Sequence, residues 1–270
     1  MKRILSLLLA LLTAAALFGC GRAERPVLRV AMSPDFAPME FLDDSKTGQD
    51  RFVGFDVELA RYLADGLGME LQIVSMSFEA CQDAVAEGDV DMAISGFSWL
   101  PQREERFNLS DPYHAGNNSA SQVLLVRKAD AARFTDARQL AGHWVGAQAA
   151  SLQEWLISEQ LPEARALAFD DLDAGVELLR SGMVDALAVA EGNASAILSS
   201  EEGFALAKFR FTLRAELQDN LILMKKGDDQ LTAAVNDLLR KAEEAGYYPQ
   251  WYAQALALAG MEAQGQDSEP

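Results

Sequence analysis

The sequence predicts an α/β fold of two lobes joined by a two-stranded hinge, and three observations carry that prediction. Short apolar runs alternate with segments whose apolar residues recur at helical spacing, over residues 27–94 and again over 144–189. Two long β-rich runs, residues 121–126 and 220–224, lie between and after those blocks, one leaving the first and one returning to it. The chain has 270 residues, 50% of them hydrophobic, which suffices for two cores in lobes of about a hundred residues each.

The N-terminus reads differently. Lys2-Arg3 precede an apolar run over 4–18 and then Gly19-Cys20, the charged region, hydrophobic region and small-residue cleavage site of a secretory signal, too short for a comfortable membrane span. Leu17-Phe18-Gly19-Cys20 resembles the lipobox of bacterial lipoproteins, which implies cleavage before Cys20 and a lipid on its sulfur. Residues 1–19 are then a signal peptide and 20–26 a tether. Removal of 1–19 leaves 21 Lys and Arg against 41 Asp and Glu, a net charge of −20, which argues against nucleic acid as a partner. Cys20 and Cys81 are the only cysteines, so a lipidated Cys20 leaves no intrachain disulfide. Cys81 reads as a buried helix residue. His114 and His143 have no cysteine or carboxylate at ligand spacing, so neither a metal nor a cofactor is expected.

Along the chain, residues 27–32 form a strand that enters the loop Asp35-Phe36-Ala37-Pro38-Met39-Glu40-Phe41, placed at a strand's carboxyl end where open α/β sheets bind ligands. Residues 43–51 form an exposed turn. Gly54-Phe55-Asp56 starts a helix with Leu59, Leu63 and Leu67 on one stripe, and Asp56 is expected to be its N-cap. A strand over 70–74, a helix over 78–87 and a strand over 92–94 complete the first block, which implies a parallel sheet covered on both faces. In the second block, 144–147, 166–169 and 184–189 read as strands and 151–160 and 172–182 as helices. A helix from 228 to about 245 and another over 247–258 follow. The expected lobes are 27–123 with 219–260, and 124–218; residues 261–270 form a polar, flexible tail.

The stretch Ser95-Gly96-Phe97-Ser98-Trp99-Leu100-Pro101-Gln102-Arg103 has the chemistry of a small-anion holder. Its strand is expected to stop at Gly96, and Pro101 suits the first turn of a helix. Backbone N–H groups, the Ser98 hydroxyl and the Arg103 guanidinium then converge on one point.

Phe52-Val53-Gly54-Phe55-Asp56-Val57-Glu58-Leu59-Ala60, Asp91-Met92-Ala93-Ile94-Ser95-Gly96 leading to Pro101-Gln102-Arg103, and Ser110-Asp111-Pro112-Tyr113 together resemble the bacterial extracellular solute-binding proteins of family 3. These serve polar amino-acid ABC importers, and the similarity runs from Leu28 to about Trp251. The resemblance implies the periplasmic-binding-protein-like fold of type II and a monomer that captures a small amino acid or related carboxylate for a membrane permease. It implies a location outside the cytoplasm, held to the cell membrane by the lipid on Cys20. It also implies site residues: Phe36 packs over the ligand, Ser95, Gly96 and Ser98 meet it, and Arg103 binds its carboxylate. In the second lobe Gln148-Ala149-Ala150-Ser151 matches the segment that opens a helix against that carboxylate, with Ser151 keeping the hydroxyl and Ala150 standing where glycine is usual.

Departures from the family pattern sharpen the question of the ligand. Ala190 stands where an aspartate commonly pairs with the α-ammonium, and Glu191 is its neighbour. Either Glu191 takes the ammonium, or the ligand has none, or Glu191 is a solvated loop residue. Ser33 replaces an acidic residue often used to hold basic side chains, which argues against lysine or arginine. Trp99 either lines the pocket or packs beneath the helix. Three functions are compatible with these features: a binding module that is not an enzyme, a cyclohexadienyl-dehydratase-like enzyme with Glu191 as its acid, and a sensor domain.

Overall fold

The computed structural model describes residues 25–114 and 121–261. The expected signal peptide over 1–19, Cys20 and the expected tail beyond residue 261 lie outside the described residues. In chain order the first part contains β1 (Val27–Met32), β2 (Asp35–Phe36), β3 (Glu40–Leu42), β4 (Phe52–Val53), α1 (Phe55–Gly66), β5 (Glu70–Ser75) and α2 (Phe78–Glu87). It continues with β6 (Met92–Ser98), α3 (Pro101–Arg106) and β7 (Phe107–Leu109). The middle part contains β8 (Gln122–Arg127), β9 (Trp144–Gln148), α4 (Leu152–Gln160), β10 (Arg165–Phe169), α5 (Leu172–Ser181), β11 (Ala186–Ala190), α6 (Glu191–Ser200) and β12 (Phe204–Arg210). Last come β13 (Asn220–Lys225), α7 (Asp229–Glu244) and α8 (Tyr247–Leu258).

These elements build two five-stranded sheets, ordered β5-β1-β6-β13-β7 and β10-β9-β11-β8-β12. Neither is purely parallel, contrary to the expectation from the alternating pattern. β13 runs antiparallel to β6 and β7, and β8 antiparallel to β11 and β12. The physical reason is the chain path: each sheet takes in one strand just as the chain arrives from the other lobe. The two long apolar runs are therefore sheet strands, β8 wholly in the second sheet and β13 wholly in the first. Among the described residues one crossing is the stretch 211–219 between β12 and β13, and the expected boundary after residue 123 falls inside β8.

Each sheet is covered on both faces. Leu59 and Leu63 of α1 pack with Val30, Ile94 and Ile222 on one face of the first sheet; Cys81 and Val85 of α2 pack with Ala93, Phe97 and Leu223 on the other. Cys81 is fully buried, as its helix position predicts. In the second lobe Leu156 and Ile157 of α4 cover one face, and Val176 and Leu179 of α5 the other. Leu100, just before α3, is buried in this second-lobe core and Trp99 packs against the same cluster, so the lobes meet across a closed cleft. Among the described residues no helix is long and apolar enough to cross a membrane.

Candidate functional site

β6 does not stop at Gly96 but continues to Ser98. It does so through an irregularity in its pairing with β13, where Gly96 adopts φ +59°, a left-handed conformation that glycine reaches without a steric penalty. A Cβ at this position would sit 2.8 Å from Cε1 of Phe36, so the absent side chain is what lets the phenyl ring lie directly against the strand. The bend also exposes the end of the strand to the second lobe.

Pro101 opens α3 in its first turn, as expected, and the helix carries Arg103 to the cleft. Arg103 is 2% exposed. Its Nε donates to Gln82 Oε1 at 3.1 Å, one terminal nitrogen to the Ser98 carbonyl at 2.7 Å, and the other to the Ala150 carbonyl of the second lobe at 2.7 Å. The rings of Phe78 and Phe97 lie 5.5 and 5.2 Å from its Cζ, which fixes the plane of the guanidinium. All three hydrogen-bond partners are neutral oxygens. Burial without a counter-ion pulls the pKa of Arg103 down to about 9.

A cavity of about 30 Å³ lies at this point between the lobes. Phe36, Ser95, Gly96, Ser98 and Arg103 line it from the first lobe and Ser151 from the second, so six of the seven residues predicted to meet the ligand converge. Ser98 Oγ is buried and has no hydrogen-bond partner, a polar group with capacity to spare on the cavity wall. The Ser95 hydroxyl is already engaged, donating to Glu40 and accepting from the Ser33 N–H at 3.0 Å. Ser151 caps α4 through a bond from Glu154 N at 3.1 Å. Ala150, ahead of it, holds φ +57°, the left-handed geometry that glycine would adopt freely, and this conformation presents its carbonyl to Arg103 and to Gln82.

Glu191 is not among the residues around the cavity. It is the first residue of α6, a helix absent from the sequence reading, and its carbonyl accepts the Ser195 hydroxyl. Trp99 packs instead of lining the cavity, with its indole N–H on Glu104 at 3.2 Å. Neither histidine lines it: His114 packs at a tilt between Phe55 and Tyr252, and His143 sits 2.9 Å from Asp185.

Asp56 is not the helix cap. Gly54 takes that position, and the Asp56 carboxylate turns inward to accept the Gly96 N–H and the Tyr113 hydroxyl, both at 3.0 Å. It thereby braces the bend in β6 from behind. Glu40 braces Ser95 in the same way and also lines the cavity. Both are fully buried; burial raises Asp56 to about 6, and burial with the adjacent Asp56 charge raises Glu40 well above its ordinary value. Of the remaining polar lining residues, Asp35 and Gln153 were not singled out from the sequence, nor was Gln82 behind Arg103, and Gln148 entered only as part of the segment 148–151. Asp35 and Glu40 lie in the loop placed at the ligand end of β1, so position was their only signal.

A larger cleft of about 640 Å³ lies beside Trp99, Ser110, Glu216 and Asp229. Lys226 there is committed to the carbonyls of Glu104 and Phe107, and among the described residues no buried side-chain atom on its walls lacks a partner. The smaller cavity, with a buried cation and a free hydroxyl, is the candidate site.

Comparisons with known proteins agree with this geometry. The chain is 30% identical over 257 residues to the arginine-binding extracellular protein ArtP of Bacillus subtilis, covering 91% of this chain and 94% of that one. It is 24% identical to the L-cystine-binding protein TcyJ of Escherichia coli, covering 83% and 80%. Among solved structures it superposes with TM-score 0.74 and 31% identity on an amino acid ABC transporter substrate-binding protein of Streptococcus pneumoniae bound to L-arginine, covering 88% of this chain and 97% of that one. An ancestral amino acid-binding protein described as a precursor of cyclohexadienyl dehydratase superposes with TM-score 0.69 and 25% identity, covering 84% and 94%. Residues 28–257 match the profile of the bacterial extracellular solute-binding proteins, family 3. With two lobes closing on a buried arginine and that match over most of its length, the chain belongs to the bacterial extracellular solute-binding proteins of family 3.

Proposed function

We propose that this protein captures a small amino acid between its two lobes and delivers it to the permease of an ABC importer. The observation that carries the reading is Arg103: a guanidinium buried in the interlobe cavity, paired only with neutral oxygens, beside the unpartnered Ser98 hydroxyl. A ligand carboxylate supplies the missing counter-charge and accepts from Ser98. Phe36, held against Gly96, forms the apolar wall, and Ser151 closes the cavity from the second lobe. The cavity has room for little more than two water molecules, so an amino acid enters only when the lobes part and the Arg103 bond to Ala150 breaks. The signal and lipobox pattern supports anchoring through Cys20, outside the cytoplasm.

Thermal-shift screening of the purified protein against the L-amino acids and a panel of organic acids tests the reading, with mass spectrometry of the recovered ligand. A rise in melting temperature with a subset of amino acids, which are recovered unchanged, is the expected result. Failure of every amino acid to raise it contradicts the proposal, and conversion of the ligand to a product moves the protein to the enzyme class.

A further inference from the structure

Three charged side chains line the cavity: Arg103, Glu40 and Asp35. Glu40 is occupied elsewhere. One of its carboxyl oxygens takes the Ser95 hydroxyl, and the other is buried without a partner, as is Oδ1 of Asp56. The two carboxyls influence each other directly, and a single proton held between them satisfies both oxygens and removes the charge from Glu40. Asp35 differs. Its Oδ1 accepts from the Ser33 hydroxyl at 3.1 Å, and its Oδ2 from Gln148 Nε2 at 3.0 Å and from Leu172 N at 3.1 Å. All of these donors are neutral.

The cavity thus holds one cation and one anion on the same lobe, each paired only with neutral groups. Charges withdrawn from water without a counter-charge are costly, and one ligand relieves both if it is a zwitterion. Because Asp35 and Arg103 line the same cavity, the zwitterion's two charges lie close together, as the ammonium and carboxylate of an α-amino acid do. Among the described residues the second lobe adds no acidic side chain to the lining, since position 190 is alanine and Glu191 is not at the cavity. We infer that Asp35 holds the α-ammonium of the ligand while Arg103 holds its carboxylate, so that Asp35 selects amino acids over simple carboxylic acids. This rests on the proposed amino-acid-binding function.

Asp35 also ties the lobes together through Gln148 and Leu172, so its test must separate charge recognition from closure. Calorimetric titration compares L-glutamine with glutaramate and L-arginine with 5-guanidinopentanoate, each acid being the amino acid without its ammonium, in wild type, Asp35→Asn and Trp99→Ala, whose indole packs against the second-lobe core away from the cavity. The preference of wild type for the amino acid falls by about 30-fold or more in Asp35→Asn and is retained in Trp99→Ala, which weakens closure without touching the cavity. Equal weakening of amino acid and analogue in Asp35→Asn, or the same loss of preference in Trp99→Ala, overturns the inference and leaves amino-acid binding standing. If wild type binds no L-amino acid at all, both the inference and the proposed function fall.

Discussion

The Arg103 guanidinium of the first lobe donates to the Ala150 carbonyl of the second at 2.7 Å. Gln82, which accepts from Arg103 Nε, donates to the same carbonyl at 3.3 Å. One backbone oxygen therefore closes the cleft over the only residue type suited to grip a carboxylate in two places, and it is aimed there by a left-handed alanine.

That alanine makes a prediction. Its φ of +57° costs a residue with a Cβ about 1–2 kcal/mol, against about 0.4–1 kcal/mol of added unfolded-state entropy if glycine replaces it. Ala150→Gly is expected to stabilise the protein by up to about 1 kcal/mol in chemical denaturation, with ligand affinity preserved. A destabilised variant would mean that the alanine conformation is not strained.

Gly96→Ala is expected to do the opposite. The new methyl group faces both the positive φ and a Phe36 ring carbon at 2.8 Å. A stability loss of about 1–2 kcal/mol or more should accompany at least about tenfold weaker ligand binding, because Phe36 must leave the cavity wall. Wild-type affinity in a folded Gly96→Ala protein would remove Phe36 from the site.

The buried acid pair predicts a pH dependence. Asp56 is raised from 3.8 to about 6 and Glu40 is raised well above 4.5, in both cases chiefly by burial. Above pH 4 the unfolded chain releases protons that the folded chain keeps, so stability contributed by these groups is full below their ordinary values and declines as pH rises through the folded ones. Glu40→Gln removes one of the two titrations. Its melting temperature relative to wild type should rise between pH 4 and pH 8, and identical pH profiles for the two proteins would contradict a shared proton.

Cys20→Ser in the full-length chain should move the protein from the membrane fraction to the soluble extracytoplasmic fraction and abolish incorporation of labelled palmitate. Persistent labelling would place the lipid elsewhere.

The fold was legible in the sequence where local pattern and packing coincide. The Leu59 and Leu63 stripe, Pro101 in the first turn of α3 and Ser151 capping α4 each carry their own signal. The mixed sheets were not legible, because strand direction in β8 and β13 depends on the chain's path between lobes and not on composition. Asp56 was misread as a cap because Asp near a helix start is usually one; only the approach of Gly96 and Tyr113, far away in sequence, draws it inward. Arg103, Ser98 and Gly96 were readable from one contiguous stretch. Asp35, Glu40 and Gln82 were missed as site residues, since their roles exist only once β1, β6, α2 and the second lobe meet.

Titration calorimetry of the amino acid identified by screening decides whether Arg103 binds its carboxylate. Arg103→Ala should lose at least about 100-fold in affinity and Arg103→Lys, which keeps the charge without the two-pronged geometry, an intermediate amount. Circular dichroism should show both variants folded. Unchanged affinity in a folded Arg103→Ala protein would contradict the account.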